Sequence, residues 1–237
     1  MCENRCLLAD ILNISEALPL DKLCNHVKDD AFWKRMFDSK WPSLKSNTTK
    51  GKAWIEIYIE KYLAESLENL KPAKYNVEKI KNLVELCSPF VKCLKITHLE
   101  ASTESNESTD HTPFDIILEH LNELRNLSIS YDCKTIGTQF YLGCTTITEN
   151  DISKFVSGLN HTDLHEFEFH SSKLDPIMLR NISRALDKTT SLTTISMGNC
   201  RFGDAGLLAF IKVLTYDSLP NVKHIFLSNN FICELTS

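Results

Sequence analysis

The sequence predicts an α/β fold in which short parallel strands alternate with outer helices, preceded by a small all-helical N-terminal region. Three observations predict it. The second half repeats itself: Leu164-x-x-Phe167-x-Phe169-x-x-Ser172-x-Leu174 aligns with Leu192-x-x-Ile195-x-Met197-x-x-Cys200-x-Phe202 and with Val222-x-x-Ile225-x-Leu227-x-x-Asn230-x-Ile232, at offsets of 28 and 30 residues. The segments between these stretches carry cap residues followed by apolar residues at helical spacing. Residues 1–88 show no such stretch and read as short helices.

All three stretches follow the leucine-rich-repeat template, and a period this long leaves room for a full helix after each strand. That is the horseshoe architecture of the ribonuclease-inhibitor type. In a strand, alternate side chains face opposite sides, so Phe167, Phe169, Ile195, Met197, Ile225 and Leu227 point inward. The residues between them form the other, concave face: Glu166, Glu168 and His170, then Thr194 and Ser196, then His224 and Phe226. This face is the candidate protein-binding surface. The ninth template position turns inward and bonds the backbone of the loop leaving the strand. Asn230 and Cys200 keep that role, and Ser172 is a weaker substitute. Between strands, Asp175-Pro176 is a cap with proline at the first helical position, followed inward by Leu179, Ile182, Ala185 and Leu186. Asp204 is the expected cap of the next helix, with Leu207, Phe210, Ile211 and Leu214 inward. Thr148-x-x-Asp151 resembles a capping box ahead of Ile152, Phe155, Val156 and Leu159.

N-terminal to residue 148 the pattern decays. Phe140-x-Leu142-x-x-Thr145-x-Ile147 fits half the template. Leu124-x-x-Leu127-x-Ile129-x-x-Asp132 fits too, but only 13 residues before it, so two strands are expected nearly back to back. Val91-x-x-Leu94-x-Ile96-x-x-Leu99 reads as the first strand. Residues 100–112 contain almost nothing apolar and read as a disordered insertion. A helix from Pro113 follows, with Phe114, Ile117, Leu118 and Leu121 inward. The expected division is therefore a helical region over 1–88 and repeats over 89–237. The array is incomplete at Ser237, where no helix follows the last strand, which suggests a fragment or truncated product.

In the helical region, Pro19 starts a helix carrying Leu20, Leu23 and Val27. Asp29-Asp30 cap another with Phe32, Trp33, Met36 and Phe37, ending at Trp41-Pro42. Residues 53–70 form a longer one, and after Pro72 a fourth uses Val77, Ile80, Leu83, Val84 and Cys87. Trp33, Trp41 and Trp54 form either an aromatic mini-core or a docking patch, an alternative to the concave face.

Composition excludes several functions. A net charge of −5 does not suit a nucleic-acid binder, and it is split, with +3 over residues 1–99 and −8 over 100–237. No apolar run is long enough for a membrane helix, and the N-terminus does not read as a signal peptide. Nine cysteines without a C-x-x-C pair read as buried thiols of a reducing compartment. No phosphate-binding glycine loop or nucleophile elbow occurs among seven glycines. His165-Glu166 with His170 has the wrong spacing for a zinc helix and lies on a strand. Cys87, Cys93 and His98 read as core thiols beside a surface histidine. No catalytic residue, metal, cofactor or small-molecule substrate is expected.

Several stretches together resemble the dynein regulatory complex subunit 5 family, also called T-complex-associated testis-expressed protein 1. They are Leu18-Pro-Leu-Asp-Lys-Leu with Asp30-Ala-Phe-Trp-Lys-Arg, Trp41-Pro and Trp54; Val91-Lys-Cys-Leu-Lys-Ile; Phe114-Asp-Ile-Ile-Leu with Leu124-Arg-Asn-Leu-Ser-Ile-Ser-Tyr; and the array with Asn199-Cys-Arg-Phe-Gly-Asp-Ala-Gly. The resemblance covers nearly the whole chain. It implies a non-enzymatic scaffold of the nexin–dynein regulatory complex that helps regulate dynein in motile cilia and flagella. Implied partners are other subunits of that complex and axonemal proteins, and implied locations are cytoplasm, cytoskeleton and axoneme. An F-box-like substrate adaptor of a ubiquitin ligase is the alternative, with the right order of elements. Leu18-Pro19, however, stands only about 15 residues from Trp33, where an F-box interposes roughly twice that. A repeat enzyme or an enzyme inhibitor of the ribonuclease-inhibitor type is a further alternative, but the sequence gives no reactive constellation for the first and no target for the second.

Overall fold

A computed structural model describes residues 18–44, 51–70, 75–99, 112–130, 147–214 and 219–233. The insertion expected at 100–112 lies outside these residues except for Thr112, and so does the half-repeat at Phe140–Thr145. The chain divides into two compact units, one up to Tyr62 and one from Leu63.

The first unit is helical. It holds α1 (Leu20–His26), α2 (Asp30–Lys40) and the start of α3 (Trp54–Glu68). Asp29 caps α2 by accepting from the Ala31 N–H at 3.0 Å. The next residue, Asp30, reaches the start of α3 and accepts from the Trp54 N–H at 2.6 Å. The Asp-Asp pair thus satisfies orphan donors at two helix starts.

The second unit alternates helix and strand: α4 (Val77–Cys87), β1 (Cys93–Ile96), α5 (Phe114–Glu119), β2 (Asn126–Ser130), α6 (Glu149–Leu159), β3 (Glu166–His170), α7 (Pro176–Leu186), β4 (Thr194–Ser196), α8 (Gly203–Ile211) and β5 (His224–Phe226). All five strands form one sheet in chain order, each parallel to the next. The register aligns Leu94, Leu127, Phe167, Ile195 and Ile225 in one row. Parallel neighbours need a crossover, and the helices supply it, each consecutive pair from α5 to α8 packing side by side. The core lies between the two layers. Phe155 of α6 stands 5.4 Å from Phe114 of α5 and 5.6 Å from Phe169 of β3, ring centre to ring centre. The caps expected from sequence ahead of α6 and α7 are in place. Thr148 and Asp151 form a reciprocal capping box on α6, and Asp175 accepts from Ile177 and Met178 at the start of α7. A buried carboxylate, Glu68, accepts from both the N–H and the hydroxyl of Thr97, tying off the end of β1.

β2 pairs directly with β3, 40 residues away, and the strand expected next to it at Phe140–Thr145 lies outside the described residues. Four expectations are corrected. Val77 is exposed, because it opens α4 at a position turned from the core. Asp204 does not cap α8: Phe202 occupies that position without a side-chain bond, and Asp204 instead accepts from the Cys233 N–H at 2.9 Å. Ile211 is exposed, and so is Ile225 at 44 %, because β5 is the sheet edge and no described element covers its far side.

Candidate protein-binding face

In a parallel sheet in register, residues at the same template position stack into rows across the strands. One row runs Cys93, Asn126, Glu166, Thr194, His224, and the next runs Lys95, Ser128, Glu168, Ser196, Phe226. A third joins Ser130 to His170. The seven residues expected on the concave face therefore share one face of the sheet. Their inward neighbours Phe167, Phe169, Ile195 and Met197 are fully buried on the other.

The acidic part is held in place. Asn126 Nδ2 donates to Glu166 Oε2 at 2.5 Å, and Ser128 Oγ donates to Glu168 Oε2 at 2.8 Å. The Gly198 N–H donates to His170 Nδ1 at 3.2 Å. That nitrogen must then be the unprotonated one, which leaves the other proton on Nε2, 3.7 Å from Glu168 Oε2. A Cβ at Gly198 would come within 3.1 Å of the imidazole, which would have to shift by a few tenths of an ångström. Next to this ridge β4 offers only the short Thr194 and Ser196. Beyond it, His224 and Phe226 stack at 6.1 Å with their planes 14° apart, and Phe226 is 54 % exposed. The face thus presents an acidic ridge on β3, a low strip on β4 and an aromatic ridge on β5. Neighbouring strands lie about 4.8 Å apart, so the two ridges stand roughly 10 Å apart, the width of a helix.

On the other side of the acidic ridge lies a shallow depression of about 190 Å³, lined among others by Lys95, Asn126, Ser128, Glu166 and Glu168. Asn126, Ser128 and Lys95 extend the candidate face and were not singled out from sequence. The template at Leu124 already placed residues 126 and 128 between inward positions, but their alignment with Glu166 and Glu168 follows only from the register of β2 against β3.

The three tryptophans sit elsewhere. Trp33 and Trp41 are buried and Trp54 is partly so. Trp33 donates to the Val27 carbonyl at 3.0 Å, and Tyr58 lies 5.3 Å from both Trp33 and Trp41. Phe37 bridges Trp41 and Trp54. The rings form an aromatic core within the first unit, and what they offer solvent is confined mainly to Trp54, under the Lys34 ammonium.

No family model matches the chain. Among curated proteins it is 24% identical over 175 residues to dynein regulatory complex subunit 5 of Chlamydomonas reinhardtii, covering 73% of this chain and 42% of that protein. The mouse protein of the same name, from Mus musculus, is 23% identical over 221 residues, and the Homo sapiens one 24% over 225, covering 84% and 86% of this chain and 44% of each relative. The chain is a distant relative of dynein regulatory complex subunit 5. It spans less than half the length of these relatives. Among the described residues no helix is long and apolar enough to cross a membrane, and no group of three potential ligands could hold a metal ion.

Proposed function

We propose that this chain is a non-enzymatic scaffold subunit of a dynein regulatory complex, built as a leucine-rich-repeat horseshoe of the ribonuclease-inhibitor type. On this reading it acts in the axoneme of cilia or flagella, helps regulate dynein, and binds other subunits through its concave face. The observation that carries the reading is the row arrangement: acids pinned on β3, small residues on β4 and stacked exposed rings on β5. The distant relatives, all named as subunits of that complex, support the setting. The repeat architecture is supported by the one-directional strand order and by the inward ninth position, where Asn230 bonds backbone on two strands' loops.

The partner that fits is an amphipathic helix lying along β4, with basic residues toward β3 and an apolar anchor toward Phe226. The test is association with dynein regulatory complex subunits, measured as capture from axonemal extract and then as rates with the captured subunit. Glu166→Lys with Glu168→Lys slows encounter and leaves the melting curve almost unchanged. Phe226→Ala speeds dissociation. Unchanged rates in both variants would overturn the concave-face assignment.

A further inference from the structure

A further depression in the second unit is lined by none of the residues proposed for the concave-face dock. It measures about 790 Å³ and opens where the loops leave the carboxyl ends of β3, β4 and β5. In open α/β sheets this is the end at which ligands gather. The loops are built alike. Ser171, Asn199 and Asn229 occupy equivalent positions, all with left-handed backbone at φ of 54°, 58° and 56°. Main-chain bonds stitch each loop to the next: the Ser171 N–H donates to Gly198 O at 3.1 Å, and the Asn199 N–H to Ser228 O at 3.0 Å. Two residues further on, Lys173, Arg201 and Phe231 fall at equivalent positions and all line the depression. Arg201 and Phe231 keep φ of 53° and 56°, which a side chain with a Cβ rarely adopts, so the stitched loops fix where they project.

The chemistry of this rim is opposite to that of the concave face. Lys173 and Arg201 are exposed, and neither has an ion-pair or hydrogen-bond partner among the described residues. Among the described residues no carboxylate lines the depression. Beside the two cations stand Phe231, 72 % exposed, and the half-buried Leu227. The amides of Asn199 and Asn229 add neutral donors.

We propose that this rim is a second binding site, for an acidic segment of a partner protein that carries an apolar side chain next to its carboxylates. Arg201 pairs a carboxylate through its two-pronged guanidinium, Lys173 takes a neighbouring one as a point charge, and Phe231 with Leu227 receives the apolar side chain. The open shape and apolar end favour a peptide over a small anion, which would leave Phe231 without a role.

The test uses the full chain and a fluorescein-labelled peptide of eight glutamates flanking a central pair of leucines, read by anisotropy. Binding should weaken with added salt and fall about tenfold or more in Arg201→Gln and in Lys173→Gln, since each removes one charge-assisted contact. Both side chains are exposed, so circular dichroism should match the parent. Lys188→Gln, an exposed cation on a different surface, should bind as the parent does. Three outcomes overturn the proposal: equal binding of a peptide with glutamine in place of glutamate, equal loss in Lys188→Gln, or no binding. Displacement of the peptide by an equal concentration of inorganic phosphate would also overturn it, by placing a small anion at the rim.

Discussion

Asn230→Ala should destabilise the second unit by about 3 kcal/mol, and the reason can be read atom by atom. The Asn230 side chain is 2 % exposed. Its Oδ1 accepts from the Cys200 N–H at 2.7 Å, and its Nδ2 donates to the carbonyls of Met197 at 2.6 Å and Leu227 at 3.0 Å. Truncation leaves the Cys200 N–H in a buried place without that acceptor. An unsatisfied buried group costs roughly 1–3 kcal/mol, and the lost bonds to the two carbonyls roughly 0.5–1.5 kcal/mol each, less whatever water recovers at the half-exposed Leu227. With a urea slope of about 2 kcal/mol per molar, the midpoint should fall by roughly 1.5 M. Repeat arrays can fray at one end, so the melt alone could miss a local loss. Native-state hydrogen exchange at the Cys200 amide reads the bond itself and should accelerate by about two orders of magnitude, the equivalent of roughly 3 kcal/mol. A midpoint shift under about 0.3 M together with unchanged exchange at Cys200 would refute the claim that this side chain holds two repeats together.

Gly158→Ala should cost about 1–3 kcal/mol in a thermal melt, because the new Cβ would come within 2.4 Å of the Phe114 carbonyl oxygen and 2.9 Å of Leu118 Cβ, forcing α6 off α5. Ile195→Asp should unfold the array as seen by circular dichroism, since Ile195 is fully buried between Phe167 and Ile225. Among the described cysteines, Cys233 should react with a thiol reagent in the native protein while Cys24, Cys87 and Cys200 do not, read by mass spectrometry. Burial pushes the Cys200 thiol up to about 12 and, against the opposing pull of Lys28, the Cys24 thiol up to about 11. A raised thiol pKa favours the folded state fully below the ordinary value of 9, so stability should hold below pH 9 and decline as pH rises from there toward 12, followed by alkaline denaturation.

Much of this architecture is legible in the sequence because the repeat states each strand's inward positions outright. Leu164, Phe167 and Phe169 are buried where the template puts them, and so are Leu192, Ile195 and Met197. Caps made by one residue's own side chain, such as Asp29, Thr148 and Asp175, are legible for the same reason: they are local. Contacts between distant segments are not. Nothing near Glu68 announces that its carboxylate ends on Thr97, 29 residues away. Asp204 has the composition of a cap but bonds Cys233, because a loop from the next repeat reaches it first. The rows of the candidate face were half legible. Which residues face outward follows from alternation, but which stand beside one another follows from register. The spacing of 40 residues between Asn126 and Glu166 hid that Asn126 and Ser128 hold the two acids.

The ninth position shows how the same geometric demand is met by three different chemistries, and what that does to the face. After β3, Ser172 reaches only the His170 carbonyl, within its own loop. After β4, the single S–H of Cys200 has the Phe169 carbonyl on the preceding strand at 3.2 Å and the Gly198 carbonyl at 3.4 Å as acceptors. After β5, Asn230 joins both the preceding loop and its own strand. The strongest of the three bonds thus falls at the strand with the least burial, where Ile225, Phe226 and Phe231 are exposed. In a solenoid each repeat is stabilised by its neighbours, so β5, flanked on one side only among the described residues, gains from such a bond. On the proposed reading this separates two steps of binding. The acids sit on β3, braced by β2 and β4, and can steer a partner without rearrangement. The aromatic anchor sits on β5, which the β4 ladder and Asn230 tie to the preceding repeat, so a partner seated on Phe226 should stabilise that strand as it locks. Asn230→Ala should therefore leave the encounter rate with a concave-face partner nearly intact and raise the dissociation rate, the same kinetic signature as Phe226→Ala. An encounter rate that fell as far as it does in the double Glu→Lys variant would show that β3 and β5 do not act separately.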